Sequence, residues 1–167
     1  KRQLYLITSR LNEVINRLRL KGIEIVPLLA NVQDEKRINN IISFWKPYII
    51  FHAAAYKHVP IVEHNLIEGV KNNTIGTVKF ANVAIKNKVP NFVFISTDKA
   101  VRPTNVMGAS KRLAEISLQS IFNQQIKDVK NNEYTKISMV RFGNVLESSG
   151  SVIPIFREQI KNGGPIT

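Results

Sequence analysis

The sequence contains no cysteine, so neither a disulfide framework nor a thiol nucleophile is open to it. Zinc patterns built on cysteine go with it. The three histidines, His52, His58 and His64, stand six residues apart, which is not a ligand spacing, and no metal site is expected. No apolar run approaches the roughly 18 residues that a membrane helix needs. No strand-like segment leads into a glycine-rich phosphate turn, and neither an internal repeat nor a low-complexity linker occurs. What remains is ordinary for a globular chain: 167 residues, 44% hydrophobic and 22% charged, enough for one domain with a real core. The net charge of +12 would suit nucleic acid or anionic lipid. Its lysines and arginines, however, are scattered along helical faces with no block of five or six. That scatter favours a solvated basic surface with a phosphate-bearing ligand, and no nucleic-acid partner is expected.

Periodicity supplies the frame. Leu4, Ile7, Leu11, Val14, Ile15 and Leu18 recur at intervals of three and four, which predicts a helix over residues 2–20. The sustained period overrides a rival reading, a strand over residues 4–7 with Ser9 and Arg10 at a phosphate. Gly22 is available for the left-handed cap that ends the helix. Residues 23–29 then read as a short buried strand, and residues 34–45 as a helix opened by Asp34. Further strands are expected over 48–51, 92–96 and 137–142, with helices over about 66–87, 106–126 and 152–161. The strands are continuously apolar, as in parallel sheets buried on both faces, and they alternate with helices. A doubly wound α/β fold follows. In that fold the strand bearing the glycine turn is central. Its absence implies a gap in the sheet and an excerpt of a longer protein.

The chemistry gathers at residues 91–111. The run Phe92-Val93-Phe94-Ile95 stops at Ser96-Thr97-Asp98-Lys99, which brings hydroxyls, a carboxylate and an amine to one sheet edge. Ligands bind at that carboxyl edge in open α/β sheets. A polar turn closing a strand is the plainer alternative. Met107 and Lys111 have the i, i+4 spacing of a Tyr-x-x-x-Lys pair, with methionine in the tyrosine's place. Lys111 reads either as a solvated helix lysine or as a group for ribose hydroxyls beside a nicotinamide. His52 reads as a packed core histidine and His64 as surface. His58, beside Lys57, lies in a loop at the same edge and suits an anionic substrate. Asn73 has poor helix propensity, which suggests that its amide has work to do, with helix-surface solvation as the alternative. Phe80, Phe122 and Phe156 fall at core positions of helices.

Four segments, HAAAYKHVP, KNNTIGT, ISTDKAVRPTNVMGASKR and MVRFGNVLESSGSVIPIF, carry a resemblance. Together they resemble the nucleotide-sugar 4,6-dehydratases of bacterial polysaccharide biosynthesis, in the extended short-chain dehydrogenase/reductase superfamily. The likeness implies a Rossmann-like fold whose first strand and glycine-rich turn are missing here, with most of a C-terminal substrate-binding part. It implies a tightly held NAD or NADP and a UDP-N-acetylhexosamine substrate, usually UDP-N-acetylglucosamine. The reaction implied is oxidation at C4, loss of water across C5 and C6, and return of the hydride to C6. A homo-oligomer is implied, in the cytoplasm or at the cytoplasmic face of the inner membrane, with any tether outside these residues.

The same resemblance implies roles for single residues. Thr97 matches the hydroxyl that contacts the C4 oxygen, and Asp98 and Lys99 match an acid/base pair. Lys111 matches the lysine on the nicotinamide ribose. Met107 stands where most relatives have the tyrosine base, as in the larger membrane-anchored members, which leaves Asp98 or a bound water for that task. Asn31 and Val32 match residues beside the adenine. Ala53, Ala54 and Ala55 match the backbone along the cofactor, and Asn73 the active-site asparagine. Arg141, Asn144 and Ser149 in the 148–151 loop match substrate or nicotinamide contacts, while Lys57 and His58 face the sugar or diphosphate.

Overall fold

The structure is a computed structural model that describes residues 2–128, 134–143, 145 and 152–167. It divides into two compact units, Lys1–Asn31 and Val32–Thr167. The first unit holds α1 (Arg2–Arg17). Its helix ends earlier than the glycine suggested. Arg19 takes a left-handed φ of 50°, and the Leu20 N–H reaches back to the Ile15 carbonyl at 3.1 Å. Residues 23–29 are not a strand, contrary to the expectation. A strand is completed by a partner's hydrogen bonds, no strand among the described residues pairs with this segment, and Pro27 lacks a donor of its own.

The second unit opens with α2 (Glu35–Trp45), whose N-cap is Asp34, its carboxylate accepting the Arg37 N–H at 3.0 Å. After β1 (Ile49–His52) come α3 (Val59–Glu63) and α4 (Leu66–Val70), then a π-helical turn over Lys71–Gly76 and α5 (Thr77–Lys86). The single helix expected over 66–87 is therefore interrupted at KNNTIG, and α3 occupies part of an expected loop. β2 (Asn91–Thr97) leads through a 3₁₀ turn, Asp98–Ala100, to α6 (Val106–Asp128). β3 (Lys136–Phe142) and α7 (Val152–Lys161) complete the order.

The sheet is parallel, in the order β1-β2-β3, with Phe94 registered against His52 on one side and Met139 on the other. Sequential order places both crossovers on one face. Phe92, Phe94 and Ile50 accordingly pack with Ala81 and Ala84 of α5, Ala114 and Leu118 of α6, and Ile38 and Ile42 of α2. The opposite face of β1 and β3 bears Ile49, Phe51, Val140 and Phe142, all exposed. Among the described residues helices cover one of the two faces that apolar strands are expected to bury. The apolar runs are real, but both helical connections run along the same side. Phe80 and Ile137 pack on the core as half-buried partners.

Leu118 is fully buried at the centre of this cluster. Leu118→Ala is expected to lower stability by about 2–5 kcal/mol, read from the urea midpoint.

Candidate active site

β2 ends where its apolar run ends, and the side chains beyond it converge on a cavity of about 560 Å³. One wall is the turn after β1, with Ala53, Ala55, Tyr56, Lys57 and His58. Ile95, Ser96, Thr97 and Lys99 form the floor, and Met107 and Lys111 come from the first turns of α6. Phe142, Gly143 and Val145 close the β3 side. The i, i+4 spacing does deliver Met107 and Lys111 to one place.

Lys111 is not a solvated helix lysine. It is 5% exposed, its Nζ donates to the Ile95 carbonyl at 2.6 Å, and it lies 4.2 Å from the centre of the Phe94 ring. Burial pushes its pKa down to about 8, against the pull of Glu115 in the other direction. An ammonium has three N–H donors, so two remain for a ligand in the cavity.

The start of α6 is drawn tightly against the Asp98–Ala100 turn. Asn105 caps it, its side chain accepting the Gly108 N–H at 2.8 Å, and Glu63 accepts the Val106 N–H at 2.6 Å. A Cβ on Gly108 would run into the carbonyl oxygen of Lys99. Only glycine permits that approach. In the turn itself the Thr97 hydroxyl donates to Asp98 at 3.0 Å, and Lys99 Nζ lies 3.3 Å from the same carboxylate. The Thr97 hydrogen bond, together with Lys99, holds the Asp98 carboxyl below its ordinary range, so it is ionised at neutral pH. The Asp98 carboxylate is exposed and flanks the cavity beside Gly143 rather than lining it.

Asn73 answers the question its propensity raised. It is fully buried, its Oδ1 accepts the Tyr56 N–H at 2.8 Å, and its Nδ2 donates to the Tyr56 carbonyl at 3.0 Å and to Ser110 Oγ at 3.1 Å. Its remaining acceptor position takes the Asn72 amide at 3.1 Å. All four positions are engaged by protein, so Asn73 fixes the cavity wall and has nothing left for a cofactor. The π-helical turn is what aims this amide inward. Next to it, Thr77 donates to the Asn73 carbonyl and so accepts from His52 Nε2 at 2.8 Å. Burial, with Lys111, brings the His52 pKa down to about 4. It is the neutral core histidine the sequence suggested.

Arg141 departs from its expected role. Its guanidinium is paired with Glu115 through Nε at 2.9 Å and Nη2 at 2.7 Å, so it clamps β3 to α6 rather than pointing at a substrate. Glu115 is 2% exposed and also accepts from Ser96 Oγ at 2.7 Å and Arg112 Nη1 at 2.9 Å. Burial raises its pKa, but the bonds from Arg141, Ser96 and Arg112 outweigh that and bring it to about 2. Glu115, Asn105 and Glu63 escaped the sequence reading. A carboxylate in the apolar stripe of Lys111, Ala114 and Leu118 was the available signal for Glu115. Ala54 is exposed and does not line the cavity. Asn31 closes the first unit and Val32 opens the second, where Val32 lies against Gly76. Asn144 and Ser149 lie outside the described residues.

A parallel sheet carrying Thr-Asp-Lys at a strand end, and a buried lysine one turn beyond Met107, define a Rossmann-like domain of the extended short-chain dehydrogenase/reductase kind. The chain belongs to the polysaccharide biosynthesis protein family, which it matches over residues 1–167. It is 50% identical over 145 residues to the capsular polysaccharide biosynthesis protein CapD of Staphylococcus aureus, covering 87% of this chain and 23% of CapD. It is 46% identical over 118 residues to a UDP-glucose 4-epimerase of Rickettsia canadensis, covering 71% of this chain and 33% of the epimerase. With the inverting UDP-N-acetylglucosamine 4,6-dehydratase of Campylobacter jejuni it shares 36% identity over 142 residues, covering 83% and 40%. The chain therefore spans less than half the length of these relatives. Pen from Bacillus thuringiensis superposes with a TM-score of 0.74 at 34% identity, covering 92% of this chain and 45% of Pen. The Thermus thermophilus UDP-glucose 4-epimerase, a complex with NAD, shares the fold at 19% identity, with a TM-score of 0.69 and coverage of 88% and 54%.

Because the folded Glu115 pKa lies below its ordinary 4.5, its contribution to stability is complete above about pH 4.5 and is lost as pH falls towards about 2. Melting temperatures measured by circular dichroism should fall over that window, and Glu115→Ala should cost about 3–5 kcal/mol at neutral pH.

Proposed function

We propose that the protein of which these residues form part is a nucleotide-sugar 4,6-dehydratase that acts on UDP-N-acetylglucosamine. One observation carries the reading: Thr97 and Lys99 face the same cavity as Met107 and Lys111, with Asp98 ionised at its edge. The likeness to the Campylobacter jejuni dehydratase supports it. We also propose that the sheet continues beyond the free edge of β1, with the phosphate-binding turn and the rest of the substrate site supplied by a longer chain.

The residues present fit NAD(P), since small side chains at Ala53 and Ala55 and the Lys111 side chain line one cavity. When bound, the nicotinamide supplies the hydride acceptor and donor. The remaining steps belong to the protein. Thr97 hydrogen-bonds the C4 oxygen. Asp98, ionised and held by Thr97, takes the C4 hydroxyl proton that a tyrosine would otherwise take, since the Met107 thioether cannot ionise. With its amine in the neutral form, Lys99 removes the C5 proton, the C6 hydroxyl leaves as water with the proton that Asp98 took from the C4 hydroxyl, and C5 is reprotonated from Lys99. Lys57 and His58 lie at the rim, where a diphosphate suits them. Arg141 is reassigned to positioning, and Asn73 likewise.

A homo-oligomer at the cytoplasmic face of the membrane belongs to the same proposal. A membrane tether in other parts of the protein is included in that proposal; among the described residues no helix is long and apolar enough to cross a membrane.

A second reading, an epimerase, draws on the Rickettsia canadensis relative. Mass spectrometry separates them: the full-length protein should convert UDP-N-acetylglucosamine to a product one water lighter, whereas epimerisation leaves the mass unchanged. Lys99→Ala should lower the rate by about 10²–10⁴-fold. An unchanged mass with wild type, or an unchanged rate with Lys99→Ala, contradicts the reading.

A further inference from the structure

Glu115 touches none of the groups assigned to the reaction, yet it joins the three elements that carry them. Its Oε1 accepts from Ser96 Oγ, the last β2 side chain before Thr97, and from Arg141 Nε. Its Oε2 accepts from Arg141 Nη2 and Arg112 Nη1. Arg141 immediately precedes Phe142 and Gly143 on the β3 wall, and Lys111 lies one helical turn before Glu115 on α6. A purely structural ion pair would not need to stand at this point. Lys111 donates to the neutral Ile95 carbonyl and lies over the Phe94 ring, and the Glu115 charge one turn further along α6 favours its protonated form.

We propose that Glu115 is the positioning residue of the site, setting both the placement and the protonation of Lys111 while holding Ser96 and Arg141 so that the β2 and β3 ends face one cavity. The idea rests on the reading of Lys111 as the cofactor lysine. Around this pair stand His52 from β1, Ser96 and the Ile95 carbonyl from β2, Arg112 on α6 and Arg141 from β3, and Lys57, His58 and Lys99 line the same cavity as Lys111. His52 is neutral above about pH 4, and both arginines stay charged, so Glu115 is the carboxylate of this group, and its charge offsets part of the effect of burial on Lys111. Replacing it with glutamine preserves shape and removes that charge.

The test uses full-length protein, with the Lys111 ε-methylene resonance followed by NMR as pH is raised. Wild type should titrate near about 8. Glu115→Gln should titrate at lower pH, with an about tenfold larger acid dissociation constant, whereas a merely structural pair would leave the midpoint in place. Should glutamine prevent folding by circular dichroism, Glu115→Asp keeps the charge but shortens the reach. It should then leave the Lys111 midpoint unchanged while weakening NAD affinity by about tenfold in a calorimetric titration. An unmoved midpoint in folded Glu115→Gln overturns the proposal, as does unchanged NAD affinity in Glu115→Asp where only that variant folds. Neither readout depends on product formation, so failure of the dehydratase reading is seen separately, as a missing mass loss with a normal Lys111 titration.

Discussion

A single buried carboxylate holds the working edge of this domain together. Glu115 is almost inaccessible and makes four short bonds to two arginines and a serine. Without them, desolvation would drive it neutral; with them it stays ionised deep into acid. The partners come from β2, α6 and β3, so a shift of any one element breaks a charge-assisted bond. Parallel strands alone do not fix the relative height of their carboxyl ends with side-chain accuracy. This network does, and it does so next to the residues that line the cavity.

A second clamp fixes the opposite wall. The π-helical turn spends one extra residue per turn to swing Asn73 inward, where it binds the Tyr56 main chain through both N–H and C=O. The same amide reaches Ser110 on α6, and Thr74 donates to the Ser110 carbonyl at 2.7 Å. The turn after β1 and the helix bearing Lys111 are thus tied by Asn73, Thr74 and Ser110, which do not line the cavity. Two polar clamps, one at each side, leave Thr97, Lys99 and Lys111 directed into the space between. Close approach of α6 to that space depends on Gly108, whose missing Cβ makes room for the Lys99 carbonyl.

Much of this was legible in the residues. The abrupt end of the apolar run at Ser96 located the sheet edge, and the spacing of Met107 and Lys111 put both on one wall. Asn73, an asparagine inside a helix, was rightly suspected of using its amide, although the amide serves the protein rather than a cofactor. The failures have physical causes. Residues 23–29 have the composition of a strand but no partner strand, and pairing is not a property of one segment. Continuous apolarity in β1 and β3 suits two buried faces, of which the helices among the described residues cover one. Arg141 was expected at a substrate or nicotinamide through the resemblance alone, and its partner, Glu115, lies 26 positions away.

The central claim is that the Thr97, Asp98 and Lys99 turn carries out an elimination across C5 and C6. The most direct measurement runs the full-length protein on UDP-N-acetylglucosamine in deuterium oxide and locates the label by NMR. Proton removal from C5 by Lys99 and return from the same exchanging amine predict a product that has lost water and carries deuterium at C5. A product without deuterium at C5, or an isomer of unchanged composition, would contradict it.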